Sequence, residues 1–229
     1  MGMTGKSDKA AKRASEKDTR KMVLSTAIAM NMAGLSPGRS GNVSARFDGG
    51  MLITPTGLSY EEMEPGDIVF VDADGTAAPK QRKPSSEWQL HQEVYKARKD
   101  CHAIVHAHSQ YATVLACARR AIPAFHYMVA LGGGNDIPCV PYATYGSLEL
   151  AKLVAKGLKD RDACLLANHG QVAIGASLSQ ALELAHEVEV LSHQYFHVLA
   201  IDGANLLSND EMARVATKFK SYGRRAQEA

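Results

Sequence analysis

The chain has 229 residues, 45% of them apolar and 22% charged, the balance of an ordinary globular protein with one sizeable core. A formal net charge of +2 argues against nucleic acid or a membrane surface as partner, because both call for a concentrated basic face. No apolar run reaches the roughly 20 residues of a membrane span, and no charged start followed by an apolar stretch suggests secretion. Cys101, Cys117, Cys139 and Cys164 lack any C-x-x-C pairing and read as reduced, packed thiols of a cytoplasmic protein.

Residues 6–21 hold seven Lys or Arg against three Asp or Glu, so residues 1–20 read as a flexible, solvated basic lead segment. A single domain is expected over 21–229. Val23, Ala27 and Met30 form an apolar helical face over about Glu16 to Ala33, and Gly34 follows where a helix stops. The runs 40–47 and 51–55, split by Asp48-Gly49-Gly50, predict antiparallel strands around a turn. A third strand covers 67–72, and a helix from about Ser86 to Lys99 carries Leu90, Val94 and Ala97 on one face, with Ser85 or Ser86 available as its cap.

Strand then helix follow over 103–109 and 111–118. Beyond them come a short extended run at 137–142, a helix over 148–158, and two strands, 163–170 and 171–175, joined through Asn168-His169-Gly170. Leu184, Val188, Leu191, Tyr195 and Val198 mark one stripe of a long helix from about Ser179 to Ile201. A last helix covers about Asp210 to Tyr222. Together these predict an α/β fold, a mainly antiparallel sheet with helices on both faces.

His106 and His108 are two apart in an apolar strand, so both side chains face one way and can share an ion. Catalytic zinc commonly takes three protein ligands and keeps a fourth position open. His169, which follows the apolar strand ACLLAN and precedes Gly170, is the best third candidate. His186, His193 and His197 share one helix and read as packing or surface residues, and His91, His102 and His126 have no nameable partner. Glu87, after Pro84-Ser85-Ser86, stands where free amides favour an anion; it reads either as a capping carboxylate or as a base beside a phosphate held by the two serines. The turns Ser40-Gly41-Asn42 and Thr54-Pro55-Thr56-Gly57 offer amides of the kind that cradle phosphate, although alone they are only turns. No nucleotide-binding fingerprint is present.

The set SGNVSAR, MLITPTG, PSSEW, VHAHS, HYM, IPCVPYATYG, NHG and AHEVEVL, in that order over about residues 20–225, resembles the class II aldolase/adducin family. The resemblance implies a three-layer αβα fold with a central antiparallel sheet, and a homotetramer with active sites between subunits. It implies one Zn2+ per subunit on His106, His108 and His169, with Glu87, Tyr127 and Tyr222 as catalytic residues. Its phosphate-binding positions fall on Asn42, Thr56, Gly57, Ser85 and Ser86, with Gly41 adjoining. The implied activity is cleavage of a phosphorylated sugar, a deoxy-ketose 1-phosphate of the L-fuculose, 5-deoxyribulose or 5-methylthioribulose type, to dihydroxyacetone phosphate and an aldehyde. The same scaffold also carries pentulose-phosphate 4-epimerases, methylthioribulose-phosphate dehydratases and the non-enzymatic adducin head; an interaction module has no need of three histidines and Glu87 together.

Overall fold

The computed structural model describes residues 14–221. The basic lead segment up to residue 13 and Tyr222 lie outside the described residues. Ser15 caps α1 (Glu16–Met32), its hydroxyl accepting from the Asp18 amide. Next come β1 (Asn42–Phe47), β2 (Gly50–Ile53) and β3 (Val69–Val71). The β1–β2 hairpin turns on Asp48 and Gly49, both with positive φ (44° and 79°), the backbone of the turn type that matches strand twist. Then follow α2 (Trp88–Ala97), β4 (Ala103–Ala107), α3 (Gln110–Cys117), β5 (Cys139–Val140), α4 (Leu148–Gly157), β6 (Ala163–Leu166), β7 (Gly170–Gly175), α5 (Leu178–Leu199) and α6 (Asn209–Ser221).

The strands form one seven-stranded sheet of order β3-β2-β1-β4-β7-β6-β5. Every pairing is antiparallel except β5 with β6, so the expected antiparallel character holds with one parallel pair at an edge. Strand alternation sorts the core into two layers. Val43, Ala45, Ala103, Val105, Ala107, Leu165 and Ala173 pack towards α1, α3 and α5. Met51, Ile53, Ile104, Cys164, Leu166, Val172 and Ile174 pack towards α2 and α4. Asn42, Ser44 and Arg46, on the other phase of β1, therefore face α2, and His106 shares that face.

Candidate metal centre and active site

Sheet register assembles the site. Asn42, the first residue of β1, stands opposite His106 near the end of β4, and β4 pairs on its other edge with β7, whose first residue follows His169. His169 is delivered by a tight turn in which Asn168 takes a left-handed φ of 56°. A Cβ at Gly170 would lie 2.5 Å from the Ala107 carbonyl oxygen and 2.9 Å from His108 Cδ2, so only glycine lets the two strand ends close here. Glu87 stands immediately before α2 and gives it no side-chain cap. The expected serine cap is absent too: Ser85 Oγ accepts from the Glu87 amide at 3.3 Å, a local turn that aims the Glu87 carboxylate at the sheet.

The three imidazoles meet edge to face with centroids 4.9, 4.9 and 4.7 Å apart. His106 Nε2 lies 3.1 Å from His108 Nε2 and 3.0 Å from Glu87 Oε2, and His169 Nε2 lies 3.3 Å from Glu87 Oε1. One ligand atom from each of these four residues falls within 4.8 Å of the others. The structure thus brings Glu87 into the same donor group as the three histidines that the sequence pairs.

Hydrogen bonding tests whether this group suits a cation. His106 Nδ1 donates to the Gln171 carbonyl oxygen at 2.8 Å, because a carbonyl can only accept, and this leaves the lone pair of a neutral ring on Nε2, towards the cluster. Glu87 Oε1 is buried and makes no hydrogen bond. Lone pairs and a carboxylate crowded at about 3 Å call for positive charge between them, and ligands about 2.0–2.1 Å from a tetrahedral ion stand about 3.3 Å from one another. The donors fit a divalent ion with nitrogen and oxygen preference.

Without an ion, these four groups divide protons unevenly. Burial, and then the charge on His106, push His108 down to about 3 and His169 down to about 4. Burial opposes charge on His106 as well, but the Glu87 carboxylate outweighs it and raises that ring above its ordinary value. Burial would likewise raise Glu87, yet the attraction of His106 and His169 and a hydrogen bond from Asn42 hold it well below the usual carboxylate range.

Beside the cluster lies a pocket of about 330 Å³. Gly41, Asn42, Thr56, Gly57, Ser85 and Ser86 all line it, together with Glu87, His108 and His169. An isolated bridge between Pro55 and Pro84 holds the Thr56-Gly57 turn against the serine loop. Gly41 serves by close approach rather than by its amide. Its N–H donates to Ser36 Oγ at 2.7 Å, and a Cβ there would meet the His106 carbonyl oxygen at 2.8 Å. Tyr127 does not line this pocket; it is 49% exposed and stacks on His126. Arg39, Tyr142, Tyr145 and Asn168, not expected from the sequence, also line the pocket, and His91, equally unexpected, is buried and bonded to Asn42. For His91 the available signal was its i+4 spacing from Glu87, which puts both on one helical stripe.

Residues 21–196 match the Class II Aldolase and Adducin N-terminal domain, and the chain belongs to that family. Class II aldolases use a divalent metal, in keeping with the donor group found here. Among curated relatives, the L-fuculose phosphate aldolase of Escherichia coli (strain K12) is 47% identical over 209 residues, 91% of this chain and 97% of that one. The 5-methylthioribulose-1-phosphate/5-deoxyribulose-1-phosphate aldolase of Rhodospirillum rubrum is 48% identical over 206 residues, 90% of this chain and 92% of the other. A solved L-fuculose 1-phosphate aldolase superposes with a TM-score of 0.86 at 40% identity, covering 90% of this chain and 98% of that one.

Proposed function

We propose that the protein is a zinc-dependent ketose-1-phosphate aldolase, a carbon–carbon lyase that reversibly cleaves a deoxy-ketose 1-phosphate such as L-fuculose 1-phosphate to dihydroxyacetone phosphate and a short aldehyde. The observation that carries this reading is the three-histidine and one-carboxylate group opening on a pocket lined by Asn42, Thr56, Gly57, Ser85 and Ser86. His106, His108 and His169 would hold the ion, with Glu87 within reach as a fourth donor. When bound, the ion supplies a Lewis acid for the ketose carbonyl. Zinc suits a set of imidazoles, and cobalt, iron or nickel could replace it.

The protein's own groups do the rest. The Ser85, Ser86 and Thr56 hydroxyls, the Asn42 amide and the Gly57 backbone hold the phosphate, so the reacting carbons lie between the imidazoles and Glu87. Glu87 returns a proton to the enediolate carbon in cleavage and removes it in condensation. Tyr127 of a neighbouring subunit and Tyr222 handle the proton on the aldehyde oxygen. Half-exposure of Tyr127 away from its own chain's pocket supports a site completed across subunits of a homotetramer.

The Rhodospirillum rubrum relative, 48% identical against 47% for the Escherichia coli one, supports a second substrate class, 5-methylthioribulose or 5-deoxyribulose 1-phosphate. All these ketoses share the half that meets phosphate and metal donors. One methylene at the variable end discriminates by only about 1–3 kcal/mol. The test is a panel of ketose 1-phosphates, with and without phosphate, read by coupling dihydroxyacetone phosphate release to a reductase. Phosphorylated members should react and the free sugars should not. Interconversion of pentulose phosphates with no dihydroxyacetone phosphate would replace this reading with a 4-epimerase.

A further inference from the structure

Behind Glu87 runs a buried polar ladder between β1 and α2. On β1, Asn42, Ser44 and Arg46 share one face by the two-residue period of a strand; across from them Glu87, His91 and Tyr95 follow at intervals of four, one stripe of α2 and its entry. Asn42 Nδ2 donates to Glu87 Oε2 at 3.0 Å. His91 Nε2 lies 2.5 Å from Asn42 Oδ1, Ser44 Oγ lies 2.7 Å from His91 Nδ1, and Tyr95 OH lies 2.8 Å from Ser44 Oγ. Asn42, Ser44, Glu87, His91 and Tyr95 are each at most 5% exposed.

The direction of each bond follows from the carboxylate. An ionised Glu87 only accepts, so Asn42 must turn its NH2 to it and its carbonyl to His91. That carbonyl also only accepts, so His91 must carry its proton on Nε2. Nδ1 is then an acceptor, Ser44 donates to it, and Ser44 oxygen is left to accept from Tyr95. At the far end, Arg46 stacks over the Tyr95 ring at 4.7 Å and donates to the Tyr95, Arg98 and Cys101 carbonyls at 2.9 Å. The ladder has one consistent orientation, and flipping the Asn42 amide would set its oxygen against the carboxylate.

We propose that His91 is a positioning residue: as the Nε2–H tautomer, backed by Ser44 and Tyr95, it locks the Asn42 amide so that Asn42 holds the Glu87 carboxylate in place for proton transfer. The inference rests on the aldolase reading of Glu87. It gives Asn42 a second task, since one amide hydrogen holds Glu87 and the other remains for the phosphate.

Two measurements test it. In the 15N-labelled, metal-free protein, long-range proton–nitrogen correlation should report His91 as Nε2–H, a readout independent of catalysis; the Nδ1–H form would overturn the assignment. In the zinc-loaded enzyme, His91→Leu should lower kcat and the solvent hydrogen exchange of dihydroxyacetone phosphate together by about 10–100-fold, the usual cost of losing a group that orients a functional one. Zinc content should stay near wild type, and KM for the ketose phosphate and inhibition by inorganic phosphate should weaken far less than kcat falls, because Asn42 alone among the residues proposed to hold the phosphate is locked by His91. His91→Gln, which keeps a donor towards Asn42, should recover most of the loss. The double variant with Asn42→Leu should have no lower kcat than Asn42→Leu alone, because the two act through one chain. Should His91→Leu not fold, Ser44→Ala, which removes a single oxygen, carries the same kcat-against-KM test. Loss of zinc, KM and kcat in parallel, or full independence of the two substitutions, would reduce His91 to packing. A wild-type enzyme without aldolase or exchange activity would instead overturn the function proposed for Glu87, and the tautomer measurement separates that failure from this one.

Discussion

Glu87→Gln isolates the proton-transfer role proposed for this residue from the rest of the site. The side chain keeps its shape, so a glutamine oxygen can still accept from Asn42 Nδ2, the 3.0 Å bond of the native carboxylate. What disappears is the negative charge 3.0 Å from His106 Nε2 and, with it, the proton exchange with the enediolate carbon proposed for Glu87. Loss of a positioned general base lowers turnover by about 10²–10⁴, or about 2.7–5.5 kcal/mol of barrier. Ser85, Ser86, Thr56 and Gly57, the residues proposed to hold the phosphate, are untouched, so KM for the ketose phosphate should change little. Three imidazoles remain, the number with which catalytic zinc is commonly held, so the variant should still load about one zinc per chain. The assay is steady-state dihydroxyacetone phosphate release at saturating substrate, with metal content measured on the same preparation. A variant that keeps zinc and turns over within about tenfold of wild type would refute the reasoning and assign the proton to another group.

Further outcomes follow from the same geometry. His169→Ala should remove or greatly weaken metal binding by elemental analysis, since it deletes one of the four convergent donors; full zinc occupancy would mean that the third imidazole is not a ligand. Gly170→Ala drives a Cβ to 2.5 Å from the Ala107 carbonyl oxygen, so it should splay β4 from β7 and lower zinc affinity as well as melting temperature; an unchanged metal titration would show that this closure is dispensable. Burial pushes His91 down to about 3, below the unfolded value of about 6.5. The unfolded chain therefore binds the extra proton first as pH falls. The neutral ring's contribution is complete above about pH 6.5 and is lost towards pH 3, with a slope of up to about 1.4 kcal/mol per pH unit. Urea unfolding of metal-free protein between pH 7 and 4 should give a shallower acid limb for His91→Gln, and an unchanged slope would mean that His91 charges freely in the fold.

Much of the fold was legible because its cues are local. The hairpin turn at Asp48-Gly49, the apolar strand around His106, the stripe along α5 and the break at Asn168-His169-Gly170 each announce themselves within a few residues, and the structure keeps them within small shifts of boundary. The helix after Ser86 was legible too, but not how it begins. Serine at a helix start reads as a cap, whereas Ser85 turns back on the Glu87 amide and leaves the helix without a side-chain cap. A capping preference is a local average, and the Glu87 carboxylate at this helix entry faces His106, His169 and Asn42 instead.

By itself the sequence determined the paired histidines, the candidate anion turns and the phase of each strand, because side-chain direction follows from a period of two or 3.6 residues. Tertiary structure alone decided that Asn42 stands opposite His106, that Glu87 joins the imidazoles as a fourth donor, and that His91, without a nameable partner in the sequence, sits between Asn42 and Ser44. These depend on strand register and on the docking of α2 across β1, which bring together residues up to 82 positions apart, as Glu87 and His169 are. Hydrogen-bond direction and shared charge arise only once both partners are fixed at about 3 Å, and no local pattern carries that distance.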